Sequence, residues 1–527
     1  MSSAAADGAV LALCALAVVL ADLRWLRVAQ REHYLPGAAS VFAWRWWGSS
    51  AANRALAVVG LAGALVSARV ALAGLAGALA GAAGPLGLSL RGRTSRLAWT
   101  SRLRRLAVLL GVVQGVALAT AALATWALAG SAGAALHGAA TACALLALAA
   151  PATGDLAMWA ARPLEARSLG QFVRKAAQHL RASAPRIVAI TGSYGKTTTK
   201  GYVAHLLSGQ FSVVATPASF NNTAGLSRAV NEHLVPGTQV FVAEMGTYGP
   251  GEIAAMCAWA PPEVAVITAI GPVHLERMRT LERIADAKAE ILERAPVAVL
   301  NVDHPLLARL ADRAEAEGRT VWRCSASAGG ADVSVRRQGD LLRVVVPRAG
   351  AGLDLVVGAG PEVEPGNVAC AVAVAFALGV PPEAVGARLA TLPVPPHRRV
   401  PQRGAGGADV VDDTYNSNPA GAAGALAMLG QLGAPGGRKV VVTPGMVELG
   451  PAQEEANREF AARAGQVATE LVVVGRTNAR ALEAGARQAG LAVRRVADRQ
   501  AAVAWVKAHL GPGDAVLYEN DLPDHYP

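Results

Sequence analysis

Two regimes of hydrophobic patterning divide the chain. Up to about residue 150, apolar positions run almost unbroken, over 9–22, 55–68, 70–88, 106–129 and 132–150. Runs of this length predict helices able to cross a membrane, which takes about 20 apolar residues. The 55–88 stretch carries one charge, Arg69, and reads either as one long helix or as two helices turning there. From residue 186 the pattern changes. Short β-branched runs over 186–191, 211–215, 239–244, 264–270, 297–301 and 320–323 alternate with helical periodicity. Such alternation predicts a mostly parallel sheet with helices on both faces. An irregular β segment follows over 332–357. After Val394-Pro395-Pro396 the alternation restarts, with strands over 410–413, 439–443, 470–474, 493–496 and 515–518. The expected organisation is a helical membrane region (1–160), a basic amphipathic connector (161–185), a P-loop-type central α/β domain (186–393) and a smaller Rossmann-like α/β domain (394–527).

Charge sharpens the first third. Of a net +11, +8 lies before Arg162, where twelve arginines face four acidic residues. Five arginines precede the 55–88 run and six follow it, so both flanks read as cytoplasmic. An even number of crossings between them favours the hairpin. The expectation is five spans, with the N-terminus outside and everything after the connector in the cytoplasm. Trp44, Trp46 and Trp47 suit an interfacial belt. Arginines beside apolar spans are topology signals, which argues against nucleic-acid binding. The five cysteines show no metal-ligand or CxxC spacing and read as buried thiols.

Candidate chemistry begins after the first strand, at Thr191-Gly192-Ser193-Tyr194-Gly195-Lys196-Thr197-Thr198-Thr199. A strand, a glycine-rich turn and a helix start make a phosphate cradle. Backbone N–H groups and the helix dipole face the oxygens, and Lys196 adds a point charge. The loop is shorter than a Walker A motif, which would need glycine where Ile190 stands. Ser219, Asn221 and Asn222 follow the second strand, either as helix caps or as substrate contacts. Glu244 ends an apolar strand, at the carboxyl edge where ligands bind in such sheets. It can act as a helix N-cap or complete a Mg²⁺ site with Thr197. His274 follows the next strand, and Lys288 lies on the helix after it.

Taken in order, these segments resemble the Mur ligases, ATP-dependent enzymes that join amino acids or dipeptides to peptidoglycan precursors. The matching stretches are TGSYGKTTT (191–199), SFNNTAG (219–225), AEMG with GEI (243–253), HLE (274–276), AKAEI (287–291), NVDHP (301–305), DDTYNSNP (412–419) and GMVELG (445–450). The last two look most like the branch that adds D-alanyl-D-alanine to the tripeptide precursor. The resemblance implies ATP held by Gly192, Ser193, Gly195, Lys196, Thr197 and Thr198. It implies one Mg²⁺ on Thr197 and Glu244, and a second on His274 with a carbamylated Lys288. Asn301 would face adenine, Arg398 the γ-phosphate and Asp413 the ribose, with Tyr415, Asn416 and Asn418 beside the nucleotide. Lys196, His274, Lys288 and Arg398 would carry the chemistry: a carboxylate phosphorylated by ATP and then attacked by an amine.

Three departures stand out. Membrane helices replace the family's N-terminal uridine-binding domain, so the muramyl-peptide donor is either UDP-linked or lipid-linked. Gly366-Asn367-Val368-Ala369-Cys370 lacks a histidine before the first asparagine and a second asparagine at Cys370. The stretch from Leu517 to Pro527 lacks the branch's Lys-Gly-Ser turn, which leaves the acceptor open between an amino acid and a dipeptide. Two alternatives stand beside the leading one: a poly-γ-glutamyl or other cell-surface polymer ligase, and a catalytically silent ATP-binding membrane scaffold.

Overall fold

The computed structural model describes all residues except 1–2, 91–96, 219, 328–329, 348–352, 361–362, 394–400, 405, 415–417, 523–524 and 527. The chain forms two compact units, Met1–Ser168 with Leu522–Pro527, and Leu169–Asp521.

The first unit is helical: α1 (Ser3–Arg31), α2 (Ala38–Gly48), α3 (Ala51–Val66), α4 (Ala71–Ala83), α5 (Ser101–Ala129) and the start of α6 (Ala132–Ser183). Ser50 and Thr100 cap α3 and α5 by accepting the N–H groups of Asn53 and Leu103. The 55–88 run breaks around Arg69 into α3 and α4. Small residues let these backbones touch: a Cβ on Gly63 would stand 2.6 Å from the Ala73 carbonyl oxygen. The expectation of five spans is not met on length. Among the described residues three helices are long and apolar enough to cross a membrane, or four if α2 and α3, bent by 112°, count as one. With 13 residues, α4 is only about 20 Å long, against about 30 Å of hydrocarbon. α5 exposes Val108, Val112, Val116 and Leu123. Inside the bundle, Gln114 Nε2 donates to Asp22 Oδ1 (2.9 Å) and Thr153 Oγ1 (3.1 Å).

The connector expected over 161–185 is not a separate element. It continues α6, a single 52-residue helix, and Ala176 and Leu180 pack into the core of the second unit. A second boundary also moves. Residues 522–527, expected with the last α/β domain, belong to the helical unit.

The second unit holds two sheets. The first contains β1 (Arg186–Thr191), β2 (Val213–Ala215), β3 (Val240–Glu244), β4 (Val264–Ile267), β5 (Val297–Asn301), β6 (Thr320–Ser325), β7 (Val333–Gln338), β8 (Leu341–Val346) and β9 (Leu353–Gly358), in spatial order 2-3-1-4-5-6-7-8-9. It is parallel from β2 to β7, then antiparallel through β8 and β9. β1, β3 and β4 are buried on both faces, which is why they read as unbroken apolar runs. One helical layer packs Leu226, Ile253, Ile284 and Leu307 on the sheet, and the other packs Tyr202, Leu206, Val368 and Val372. The second sheet contains β10 (Pro401–Arg403), β11 (Asp409–Asp413), β12 (Lys439–Thr443), β13 (Glu470–Val474), β14 (Ala492–Val496) and β15 (Ala515–Glu519), in order 10-11-15-12-13-14. Only β10 is antiparallel to its neighbour.

Candidate active site

The site forms along the carboxyl ends of β1, β3 and β4. β1 leads into Gly192, whose φ of +154° suits glycine. A Cβ there would stand 2.0 Å from Thr268 Oγ1. Gly195 ends the turn at φ +79°, and a Cβ there would stand 2.2 Å from Asn367 Oδ1. The helix Lys196–Leu207 then begins. Ser193 ties the loop down, its Oγ donating to Gly271 O (3.1 Å) and accepting Gly271 N–H (3.0 Å). Lys196 Nζ folds over the loop and donates to Gly192 O at 2.7 Å. Thr198 is buried in the first helical turn. These amides, the dipole and the ammonium form a cradle for phosphate oxygens.

Beside the cradle, Glu244 is 1% exposed at the end of β3. Its Oε2 accepts Thr197 Oγ1–H (2.9 Å) and lies 3.0 Å from Lys200 Nζ, and its Oε1 accepts from Asn221 Nδ2 (3.1 Å). Thr197 and Glu244 thus meet as the sequence suggests. The asparagine pair divides its work: Asn222 Oδ1 caps the helix Thr223–His233 through Gly225 N–H (2.9 Å), and Asn221 holds Glu244. Among the described residues no three His, Cys, Asp or Glu side chains converge as a preformed metal cage. Mg²⁺ does not require one, since it takes one or two carboxylates, substrate phosphates and water. The hydroxyl–carboxylate pair beside a phosphate cradle therefore fits that ion.

His274 stands after β4 in a left-handed conformation (φ +55°). Its Nδ1 lies 2.5 Å from Glu448 Oε2 of the GMVELG loop, and its ring meets Tyr248 edge-on at 4.8 Å. Lys288, on the helix Leu281–Ala289, is 2% exposed. Burial and the positive charge of Lys196 hold its pKa well below the usual lysine value.

The nucleotide-side residues are only partly described. Asn301 ends β5 and packs against Gly366, where a Cβ would stand 2.8 Å from Asn301 Nδ2. The glycine in place of the family's histidine thus adjoins the residue expected to face adenine. Burial would raise the pKa of Asp303, two residues on, but hydrogen bonds from Ser325, Ser327 and two backbone amides outweigh it and lower it. Asp413 is buried at the end of β11. Asn418 caps the helix Pro419–Gln431 by accepting Gly421 N–H at 2.8 Å. Ser219, Arg398, Tyr415 and Asn416 lie outside the described residues.

Sequence reasoning missed several contributors. Lys200 follows Thr197 by three positions on one helix, a spacing that signals a shared face. Tyr194 lies against Gly271, where a Cβ would stand 2.3 Å from Tyr194 Cε2, and burial pushes its phenol upward in pKa. Glu519 is fully buried and accepts from Thr443 Oγ1 (2.5 Å), and Asn520 Nδ2 donates to Gly445 O (2.6 Å). These two residues support the GMVELG loop from the segment where a Lys-Gly-Ser turn is missing.

Comparison with known proteins agrees with this geometry. The Mur ligase middle domain matches residues 190–375, and the Mur ligase glutamate ligase domain matches residues 398–518. The UDP-N-acetylmuramoyl-tripeptide–D-alanyl-D-alanine ligase of Mycobacterium leprae is 34% identical over 386 residues, covering 66% of this chain and 74% of that protein. Its namesake from Synechocystis is 30% identical over 384 residues, covering 69% and 81%. Among solved structures, the MurF ligase from Thermotoga maritima in complex with ADP is similar, with a TM-score of 0.56 and 26% identity. It covers 67% of this chain and 80% of that one.

Proposed function

The chain belongs to the Mur ligase family, and from that premise we propose that it adds D-alanyl-D-alanine to a muramyl-tripeptide precursor of peptidoglycan at the expense of ATP. The reading rests on the family match over both α/β domains and on the named relatives. The observation that carries it is the grouping of the Lys196 loop, the Thr197–Glu244 pair and His274 at neighbouring strand ends.

The geometry accounts for an ADP-forming amide ligase. A carboxylate is a poor electrophile, because its leaving group would be oxide. Attack of the donor carboxylate oxygen on the γ-phosphorus breaks the bond to ADP and gives an acyl phosphate. The amine then attacks the acyl carbon, loses a proton, and inorganic phosphate departs. Lys196 and the loop amides hold the phosphate chain where charge develops. Thr197 and Glu244 would hold one Mg²⁺, and His274 with carbamylated Lys288 a second. Such ions neutralise the phosphoryl oxygens. Its lowered pKa favours the uncharged form of the Lys288 amine, the form that adds to CO₂. Arg398 is proposed to reach the γ-phosphate, Asn301 the adenine and Asp413 the ribose, with Tyr415, Asn416 and Asn418 beside them. Ser219 and Asn221 are proposed to face the donor.

We further propose that the enzyme works at the bacterial cytoplasmic membrane on a lipid-linked donor. The long apolar helices and the exposed apolar face of α5 support this. So does the helical unit preceding the matched domains, where family members carry a uridine-binding domain. The test is to offer purified enzyme UDP-linked and lipid-linked muramyl tripeptide together, with D-alanyl-D-alanine or single amino acids. ADP and phosphate should appear only when donor and amine are both present, with the product mass on the lipid-linked donor. ATP hydrolysis indifferent to every donor–amine pair would overturn the ligase reading. Product on the UDP-linked donor alone would overturn the lipid-linked one.

A further inference from the structure

The GMVELG loop belongs to the second α/β domain, yet it presents a carboxylate to a residue of the first. Glu448 Oε2 lies 2.5 Å from His274 Nδ1, and the Glu448 carbonyl accepts Glu276 N–H at 3.4 Å. Both residues sit at positive φ, +63° for Glu448 and +55° for His274. Two non-glycine residues in that sparsely populated region, facing each other, mark a contact that the surroundings impose.

The surroundings on the Glu448 side are rigid. Asn457 accepts Met446 N–H (2.8 Å) and donates to Met446 O (2.9 Å). Asn478 Nδ2 donates to Pro444 O (2.9 Å) and Met446 O (3.0 Å). Asn520 holds Gly445 from the other side, and Met446 and Leu449 are buried in the domain's core. The loop is therefore anchored by contacts within its own domain in addition to the one with His274.

An ionised carboxylate accepts only, so the contact is a hydrogen bond when His274 carries its proton on Nδ1. The lone pair is then on Nε2. A carboxylate behind a metal-ligating histidine, fixing tautomer and ring orientation, is a general arrangement of metal sites. We propose that Glu448 is a positioning residue for the second divalent cation: it holds the His274 imidazole in its metal-binding tautomer, and so makes that cation's affinity depend on contact between the two α/β domains. This rests on the ligase reading, from which the second cation is taken.

The test uses the full chain in detergent, with Mn²⁺ and a non-hydrolysable ATP analogue, and counts bound Mn²⁺ by electron paramagnetic resonance. Wild type should bind two ions. Glu448→Ala should weaken one of them about 10–100-fold and leave the other unchanged. Glu448→Gln, whose amide oxygen accepts the same hydrogen bond, should recover most of that loss. Adding Glu448→Ala to His274→Ala should cost nothing further. The proposal is overturned if Glu448→Ala binds both ions as wild type does, if Glu448→Gln is as weak as Glu448→Ala, or if the two alanine losses add. A purely structural role would lower the melting temperature of the metal-free protein and leave Mn²⁺ affinity unmoved. No donor or acceptor is needed. A protein that binds both ions but ligates nothing would refute the proposed function separately.

Discussion

Lys200 Nζ lies 3.0 Å from Glu244 Oε2, and the two side chains are 7% and 1% exposed. The ammonium also donates to the Ala218 carbonyl at 2.6 Å. The carboxylate proposed to hold a divalent cation is thus paired within the fold with a buried ammonium. Removing one member of a buried pair strands the other, at a cost of about 3–5 kcal/mol. Lys200→Met should lower unfolding stability of the ligase unit by that order in urea titrations. The double change Lys200→Met with Glu244→Gln should be milder than the single one, because no buried charge is left over. A single variant within the scatter of wild type would show that the pair is not coupled.

Lys288 gives a pH dependence with a definite sign. Burial first, and Lys196 second, lower its pKa on folding from a usual 10.5. The unfolded chain therefore holds this proton more tightly than the folded one. The penalty is complete below the folded pKa, shrinks as pH rises and vanishes above the unfolded value. Stability of the metal-free protein should rise with pH across that window, and Lys288→Met should remove this component and stabilise the protein at neutral pH. Thermal melts of both proteins against pH decide it, and parallel curves would contradict the assignment. The same shift toward the neutral amine leads us to expect lower ligase activity in CO₂-depleted buffer, restored by bicarbonate.

Two glycines of the phosphate loop and its helix should respond oppositely to alanine. At Gly192 the new Cβ meets Thr268 Oγ1 at 2.0 Å with φ at +154°, and Thr268 itself donates to the carbonyls of Thr191 and Tyr194. Gly192→Ala should destabilise by about 1–3 kcal/mol and weaken nucleotide binding in a fluorescent-ADP titration. Gly201 lies in the following helix with nothing within 4 Å of an added Cβ. Gly201→Ala should leave nucleotide binding alone and stabilise by about 0.4–1 kcal/mol. Equal effects at the two positions would refute the strained-loop account.

Which parts of this architecture could be read beforehand follows from how local their causes are. Strands buried on both faces announce themselves as apolar runs, so β1, β3, β4, β5, β12 and β13 fall where the patterning places them. The phosphate loop is equally local, because Gly192 and Gly195 satisfy backbone geometry within a few residues. Lys200 and Lys288 are different. A lysine's burial depends on what packs over it from distant strands, which periodicity does not encode, and Lys288 reads as a surface residue until the sheet is assembled. Glu448 could be recognised as part of a motif, but its partner lies 174 positions away. The 161–185 segment misleads for the opposite reason. Its charge suggests a linker, while α6 runs on to Ser183 despite Pro163, and Ala176 and Leu180 are buried in a core. Close packing of α3 on α4 through small residues such as Gly63 is likewise invisible to a count of apolar positions.

The end of the chain offers the last test. His525 is 1% exposed within the helical unit. Its Nε2 lies 2.8 Å from Glu32 Oε1, its carbonyl accepts the Trp46 indole N–H at 2.6 Å, and its ring meets Phe42 edge-on at 4.8 Å. Tyr526 also meets the Phe42 ring edge-on, at 4.8 Å and 87°. These contacts tie α1, α2 and the tail into one core, with Phe42 and Trp46 beneath. Each buried hydrogen bond lost leaves a polar group unsatisfied, at about 1–3 kcal/mol, and removal of the tail also uncovers aromatic area. A chain ending at Asp521 should therefore show earlier thermal unfolding of the helical unit, followed by tryptophan fluorescence in detergent. His525→Ala should show part of the same loss. The melting of the ligase unit, followed with ADP bound, should not move, since β15 ends at Glu519. A truncated chain that melts as the full chain does would show that the tail contributes nothing to the bundle.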